Sequence, residues 1–234
     1  MDIKQLERAF KSASLPTAED EEQHSLVQQL LSSNDTEILR YHYDLLRQQE
    51  NWSLFCWLRN GFAKRGPQGE DFLLQAFEKE EDPEMRGTIV HILGRMRSKG
   101  ARPLALRLIA SDSASLHHTA AYVLGWVGTA EDVRLLEDLL LRDSESEVRA
   151  DAATAHFQLV NRIPEAKERA LQSLKRGLMQ EKEEEVLASI IISLQDILKK
   201  RFGMREDIDE RKITGDVAKA KVKALAALAS IGTT

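Results

Sequence analysis

An apolar frame recurs along the chain about every 31 residues, and each period has room for two helices. The frame begins at Leu54, Met85, Leu116, Val148 and Val186, so the steps are 31, 31, 32 and 38 residues. Between these positions apolar residues recur at i, i+3, i+4 and i+7, which is helical spacing. A single helix pair cannot bury its apolar face alone and must stack on its neighbours. The period therefore predicts an all-α, right-handed α-solenoid of antiparallel helix pairs.

The same pattern predicts thirteen helices, and no strand, because no β-branched run alternates strictly between turn signals. The predicted helices span 2–12, 17–32, 36–49, 52–65, 69–79, 83–98, 102–111, 114–127, 130–142, 146–161, 164–179, 184–201 and 214–231. We expect a single domain over 1–234, with N-terminal cap helices at 1–35, about five helix pairs at 36–201 and a C-terminal cap at 202–234. The pattern leaves open whether residues 202–216 form a loop or a short helix.

A family resemblance rests on the segments VLGWVGTAEDVRLLEDLL and ESEVRADAATA. They resemble HEAT-like repeats of the short phycobilin-lyase type, whose repeat runs valine-arginine, alanine-alanine, leucine-glycine and then a leucine-rich helix. The resemblance is strong over about 70–161 and weaker at 36–69 and 162–201. It implies stacked helix pairs whose second helices line a concave face. It does not specify a chemistry, because one fold serves many functions.

Charge and cysteine content narrow the possible partners and compartments. The formal net charge is -5 and the pI is about 5.8, whereas proteins that grip a phosphate backbone usually carry a basic excess. Nucleic acid is therefore not an expected partner. The single cysteine, Cys56, permits no internal disulfide and fits a reducing compartment, so we predict a cytoplasmic protein. No apolar run approaches the roughly 18 residues of a membrane span, and no signal peptide is predicted.

The sequence contains no pattern that is typical of catalysis. Its six histidines include no HExxH motif, and no paired Cys-x-x-Cys or GxSxG is present. The glycine-containing segment GFAKRGPQG does not match the spacing of a phosphate-binding loop. We therefore expect no metal, no cofactor and no enzymatic activity.

The repeat frame predicts which side chains face the groove. The residues three, six and ten positions after each first apolar residue should lie on this face, and they include aromatic and arginine side chains, which are common anchors of protein interfaces. With the adjacent His118, the candidate partner-binding residues are Trp57, His91, Arg95, His118, Tyr122, Trp126, Asp151 and Gln158. The alternative is that Trp57 and Trp126 only fill gaps between repeats.

Acidic residues cluster at the turns between the first and second helices of several pairs. Glu81 and Asp82 lie in one turn, and Glu145 and Glu147 lie at another. In a solenoid such turns share one edge, so we expect an acidic strip that attracts a basic protein. The alternative is that these acids only stabilise helix N-termini, by about 0.3–1 kcal/mol each.

These patterns favour a non-catalytic solenoid, monomeric before binding, that masks a basic protein partner. In size, predicted fold and charge the chain resembles bacterial immunity proteins that neutralise toxins, many of which are basic nucleases. One alternative is an adaptor or assembly factor. Another is a relative of chromophore lyases or DNA glycosylases that uses the groove around Tyr122, Trp126 and Asp151.

Overall fold

A computed structural model describes residues 2–48, 51–207 and 212–231. Its contacts divide the chain into two compact units, Met1–Ala101 (unit 1) and Arg102–Thr234 (unit 2). All thirteen predicted helices are present among the described residues, with ends within about four residues of the predicted ones. The predicted all-α solenoid class, in which successive helix pairs stack, is confirmed within each unit.

Unit 1 holds the first six helices. They are α1 (Ile3–Ala13), α2 (Asp20–Leu31), α3 (Thr36–Leu45), α4 (Trp52–Phe62), α5 (Gly66–Phe77) and α6 (Pro83–Arg95). Helices α2, α4 and α6 pack in succession, and α3 and α5 pair with α4 and α6. Phe62 and Phe77 are fully buried in the core of the unit.

Unit 2 contains the remaining helices and a short hairpin. The helices are α7 (Ala101–Ile109, whose first residue belongs to unit 1), α8 (Ala114–Val127), α9 (Val133–Arg142), α10 (Ser146–Arg162), α11 (Lys167–Gln180), α12 (Glu184–Leu198) and α13 (Val217–Ile231). Single 3-10 turns, Ala130–Asp132 and Pro164–Ala166, precede α9 and α11. Helices α8, α10 and α12 pack in succession, α9 packs on α11, and α13 packs against α11 and α12.

Small residues let the second helices of unit 2 approach closely. Ala120 and Ala121 on α8 and Ala152 on α10 are fully buried. A Cβ atom added at Gly125 of α8 would lie 3.2 Å from the Cα atom of Ala155 on α10, so a side chain there would require the two helix backbones to move apart by a few tenths of an ångström. The alanine-rich part of the repeat motif is therefore a packing requirement, as in other close helix contacts.

Two polar side-chain contacts at the same repeat position join successive helix pairs of unit 2. His117 Nδ1 lies 2.7 Å from an Asp143 carboxylate oxygen, and Arg149 Nε donates to Glu181 at 2.7 Å. His117 and Arg149 each follow the first apolar residue of their second helix. Each acid lies at or beside the turn that starts the next second helix, so the side chain joins one repeat to the next.

A two-stranded antiparallel hairpin corrects the prediction that the chain has no strand. It consists of β1 (Arg205–Asp207) and β2 (Lys212–Thr214), with Arg205 opposite Thr214. Gly203 and Gly215 flank it with φ values of +112° and +136°, a backbone region that favours glycine. The hairpin also answers part of the question left open for residues 202–216, which form a loop and strands, not a helix, wherever they are described.

Candidate protein-binding face

Three aromatic side chains form a continuous strip along α8. His118, Tyr122 and Trp126 are spaced at i, i+4 and i+8, so they lie on one face of the helix. The rings of His118 and Tyr122 are 5.0 Å apart in a T-shaped arrangement, and those of Tyr122 and Trp126 are 5.9 Å apart. We call these three residues the aromatic strip; all three were predicted to contact a partner.

A carboxylate from the neighbouring helix α10 completes the cluster. Asp151 forms an ion pair with His118 and accepts a hydrogen bond from the Tyr122 hydroxyl. Its side chain is 14 % exposed, whereas that of His118 is 46 % exposed, so the carboxylate lies beneath the rim of the strip. Burial, then Asp151 and more weakly Glu206, raise the pKa of Tyr122 to about 12, so its hydroxyl remains protonated at neutral pH.

The exposed side of α10 extends this cluster in both directions. Glu147, Asp151, Thr154 and Gln158 are spaced at i, i+4, i+7 and i+11, which places them along one side of the helix. Glu147 is exposed at the first turn, and Gln158 is half-buried beside Gly125 of α8. We call the surface formed by the second helices of unit 2 the α8–α10–α12 face.

The hairpin supplies residues of this face that the repeat frame missed. A groove of about 570 Å³ lies between the N-terminal turns of α10 and α12 and the hairpin region. Glu147 of α10 and Glu184 of α12 line it together with Met204 and Ile213. The repeat frame cannot place Met204 or Ile213, because they lie outside the repeats; the two flanking glycines are the signal that indicates a turn-rich element.

Three of the predicted binding residues lie in unit 1. Trp57 is half-buried; its ring is 5.2 Å from that of His24, and its Nε1 donates to Asp20 at 3.4 Å, so part of its surface packs against α2. His91 is half-buried on α6 and Arg95 is exposed at the end of that helix. The alternative prediction, that Trp57 fills a gap between repeats, thus agrees with its contacts, although these contacts do not test partner binding.

The predicted acidic turns contain two kinds of carboxylate. Some form bonds within the fold: Asp82 accepts from the Glu84 backbone N–H at 3.0 Å and caps α6, and Glu80 lies 2.5 Å from Arg47. Others point into solvent, including Glu81, Glu145 and Glu147. Helix capping therefore explains Asp82, whereas the exposed acids leave the prediction of an attractive strip open.

The described residues contain no group of three or more His, Cys, Asp or Glu side chains placed to hold a metal ion. Within the same residues, no helix has both the length and the apolar character needed to cross a membrane.

Comparisons with solved structures found several similar chains. Two of them are each 16% identical in sequence to this chain. One is an engineered protein, with 85% of this chain and 98% of that chain covered and a TM-score of 0.45. The other is the complex of CpcE and CpcF of phycocyanin lyase from Nostoc sp. PCC7120, with 95% and 94% covered and a TM-score of 0.42. No curated protein matches the sequence significantly.

A family model describes the central part of the chain. The model of HEAT repeats matches residues 70–155, which include helices α6 to α9 and the first part of α10. This range falls within the segment where the sequence motif resembles HEAT-like repeats most strongly. Residues 70–155 are therefore HEAT repeats.

Proposed function

We propose that this protein acts by binding, without catalysis, and that its α8–α10–α12 face masks a basic protein. The observation that carries the proposal is the aromatic strip with Asp151 beneath it. Aromatic ring faces attract cations, and a carboxylate forms charge-assisted hydrogen bonds with ammonium and guanidinium groups. A lysine or arginine side chain of a partner can therefore contact a ring while the carboxylate beneath it attracts the positive charge.

The charges around the cluster favour the same sign of partner. Glu147 lies one helical turn from Asp151, and the negative charge of Glu206 acts on Tyr122. Several carboxylates on one surface raise the rate at which a positively charged protein finds it. HEAT repeats commonly present such extended surfaces to other proteins.

We further propose that the masked partner is a basic bacterial nuclease toxin, whose active site or substrate surface the protein covers stoichiometrically. The negative face mimics the charge of the substrate that such a toxin binds. An adaptor or assembly role uses the same surface and differs only in what the partner does, so the identity of the partner decides between the two.

The first experiment uses the tagged protein as bait, beside a Tyr122→Ala/Trp126→Ala bait, and then repeats the binding with the purified partner. We expect a basic protein that is retained by the native bait, lost from the double variant and released by salt. Trp52→Ala is the matched control, because Trp52 is a 57 % exposed tryptophan of unit 1 outside the proposed face. Equal retention by the native and Tyr122→Ala/Trp126→Ala baits would contradict the proposed face.

The toxin proposal has its own test in cells. Expression of the native protein should restore growth of cells that produce the identified basic partner, and Asp151→Asn should protect less well. If the partner is not toxic, the adaptor role replaces the immunity role while the binding proposal stands.

A DNA glycosylase-like activity is a second candidate, because Tyr122, Trp126 and Asp151 do come together on one face. The neighbouring carboxylates of Glu147 and Glu206 repel the phosphate backbone that such an enzyme must approach. We therefore expect weak binding to duplex DNA in a fluorescence anisotropy titration. Tight, salt-dependent DNA binding would favour the glycosylase-like activity over the masking of a basic protein.

A further inference from the structure

The groove beside the hairpin is lined by both apolar and acidic side chains. Its walls are the first turns of α10 and α12, and the hairpin region closes a third side. Ala150 and Ala188 contribute methyl groups from the two helices, and Met204 and Ile213 contribute apolar side chains from the hairpin region. Its volume of about 570 Å³ lies within the range of roughly 300–1,000 Å³ that is typical of ligand pockets.

The charged side chains in this lining all carry the same sign. Among the described residues that line the groove, the ionisable ones are Glu147, Glu184 and Glu185, and all three are exposed. They are not arranged as a metal site, since no such group of ligands occurs among the described residues. A nucleic acid is also a poor occupant, because its phosphates would face three carboxylates.

An exposed apolar residue adds to the case for a polypeptide occupant. Ile213 is 38 % exposed on β2, beside the carboxylates. Lysine and arginine bury their methylene stems along apolar surface while the charged head remains near water or a counter-ion. A groove lined by both methyl groups and carboxylates fits both parts of such a side chain.

The groove is also continuous with the proposed binding face. Glu147 lines the groove and lies one helical turn from Asp151, which belongs to the aromatic cluster. A partner seated on the aromatic strip can therefore reach the groove along α10.

We propose that this groove binds a segment of the basic partner in which lysine or arginine alternates with apolar residues. The inference rests on the proposed function and specifies which part of the partner the groove recognises: the apolar side chains contact Ile213 and Met204, and the cationic heads contact Glu147, Glu184 and Glu185.

The test is a titration of the full chain with a short fluorescein-labelled peptide of alternating lysine and leucine. We expect binding that shifts the methyl NMR signals of Ala150, Ala188 and Ile213. Glu147→Gln/Glu184→Gln/Glu185→Gln should weaken the affinity at least about tenfold, since three charge contacts are lost. Ile213→Ser should also weaken it.

The matched control, Glu131→Gln/Glu165→Gln/Glu168→Gln, changes the net charge equally but leaves the groove intact, and it should change the affinity less than about twofold.

Two related peptides separate groove recognition from general charge attraction. A peptide with serine in place of leucine should bind more weakly, and one with glutamate in place of lysine should not bind. The inference is overturned if the native protein does not bind the lysine-leucine peptide, if the two triple variants bind it equally well, or if the shifted methyl groups lie elsewhere, including at a contact between two copies of the chain.

Failure of this inference is distinguishable from failure of the proposed function. If the purified basic partner is lost by Tyr122→Ala/Trp126→Ala but retained by the groove triple variant, the masking function stands and the groove inference is wrong. If no basic protein binds the native chain, the proposed function itself is wrong.

Discussion

At the scale of the residue, two buried histidines are neutral in the folded protein at neutral pH. His42 is fully buried in unit 1; its Nε2 donates to the Leu58 carbonyl at 3.0 Å and its Nδ1 accepts from Arg65 Nε at 3.1 Å. Burial, with a further contribution from Arg65, lowers its pKa to about 3. His156 is fully buried in unit 2 between the Ala152 carbonyl and the Ser173 hydroxyl, and burial lowers its pKa to about 4.

These histidines predict that mild acid destabilises the protein. In the unfolded chain each histidine titrates near 6.5, so below that pH the unfolded state binds more protons than the folded state. Their contribution to stability is fully present above about pH 6.5 and is lost as the pH falls toward 4 for His156 and toward 3 for His42. Between pH 7 and pH 5 we expect each histidine to reduce the free energy of unfolding by about 2 kcal/mol.

Denaturant unfolding of the native chain and of His156→Gln at both pH values measures this effect. The variant should lose about 2 kcal/mol less than the native chain, because glutamine does not titrate. The same loss in both proteins would show that His156 does not bind a proton on unfolding in this range.

Arg149 predicts a larger stability effect than an exposed arginine of the same unit. Its guanidinium donates to Glu181 and to the carbonyls of Asp143 and Ser144, and the Arg149 and Glu181 side chains are 15 % and 9 % exposed. Arg149→Ala leaves buried acceptors without a donor, so we expect a loss of about 2 kcal/mol in the free energy of unfolding.

Arg142→Ala is the matched control for this prediction. Arg142 pairs with Asp138 at 3.0 Å, but the two side chains are 77 % and 56 % exposed, so the loss should be below about 0.5 kcal/mol. Equal losses in urea denaturation of the two variants would contradict the interpretation of Arg149 as a link between repeats.

At the scale of the element, the helices could be predicted and the hairpin could not. Helices follow from a 3.6-residue apolar spacing that each of them carries. The strands, Arg205–Asp207 and Lys212–Thr214, are three residues each and mostly charged, so they show no apolar alternation. What holds the loop before them is one side chain of the preceding helix. Gln195 of α12 accepts hydrogen bonds from the backbone N–H groups of Phe202, Gly203 and Met204 and donates to the Met204 carbonyl.

Gln195→Ala should therefore loosen the hairpin without affecting unit 1. The change removes one acceptor that serves three N–H groups, and we expect the protection of the Phe202 and Met204 amides against hydrogen exchange to fall, by the equivalent of about 1–3 kcal/mol. Gln172→Ala, at an exposed position of α11, is the control and should leave this protection unchanged. If Gln195→Ala also leaves it unchanged, the loop is held by other contacts.

At the scale of the whole molecule, regular repeats made part of the candidate site predictable. Nearly equal steps of 31 and 32 residues carry the same face from one second helix to the next, so Tyr122 and Asp151 could be assigned to one surface from the sequence alone. The last step of 38 residues breaks this register. As a result the repeat frame does not predict that Glu184 and Glu185 line a groove with the hairpin region.

A stack of helix pairs must also end in a helix whose outer side tolerates water. In unit 2, α13 packs against α11 and α12, with Leu228 6 % exposed on the packed side and Val222 69 % exposed on the outer side. Leu228→Asp places a carboxylate against apolar neighbours, so we expect a loss of about 3 kcal/mol or more and release of α13. Val222→Asp, in the same helix, should change stability by less than about 0.5 kcal/mol.

Because release of α13 uncovers apolar surface of α11 and α12, only Leu228→Asp should self-associate, as measured by light scattering during size-exclusion chromatography. If both variants remain monomeric with equal melting temperatures, α13 does not cover apolar surface of α11 and α12.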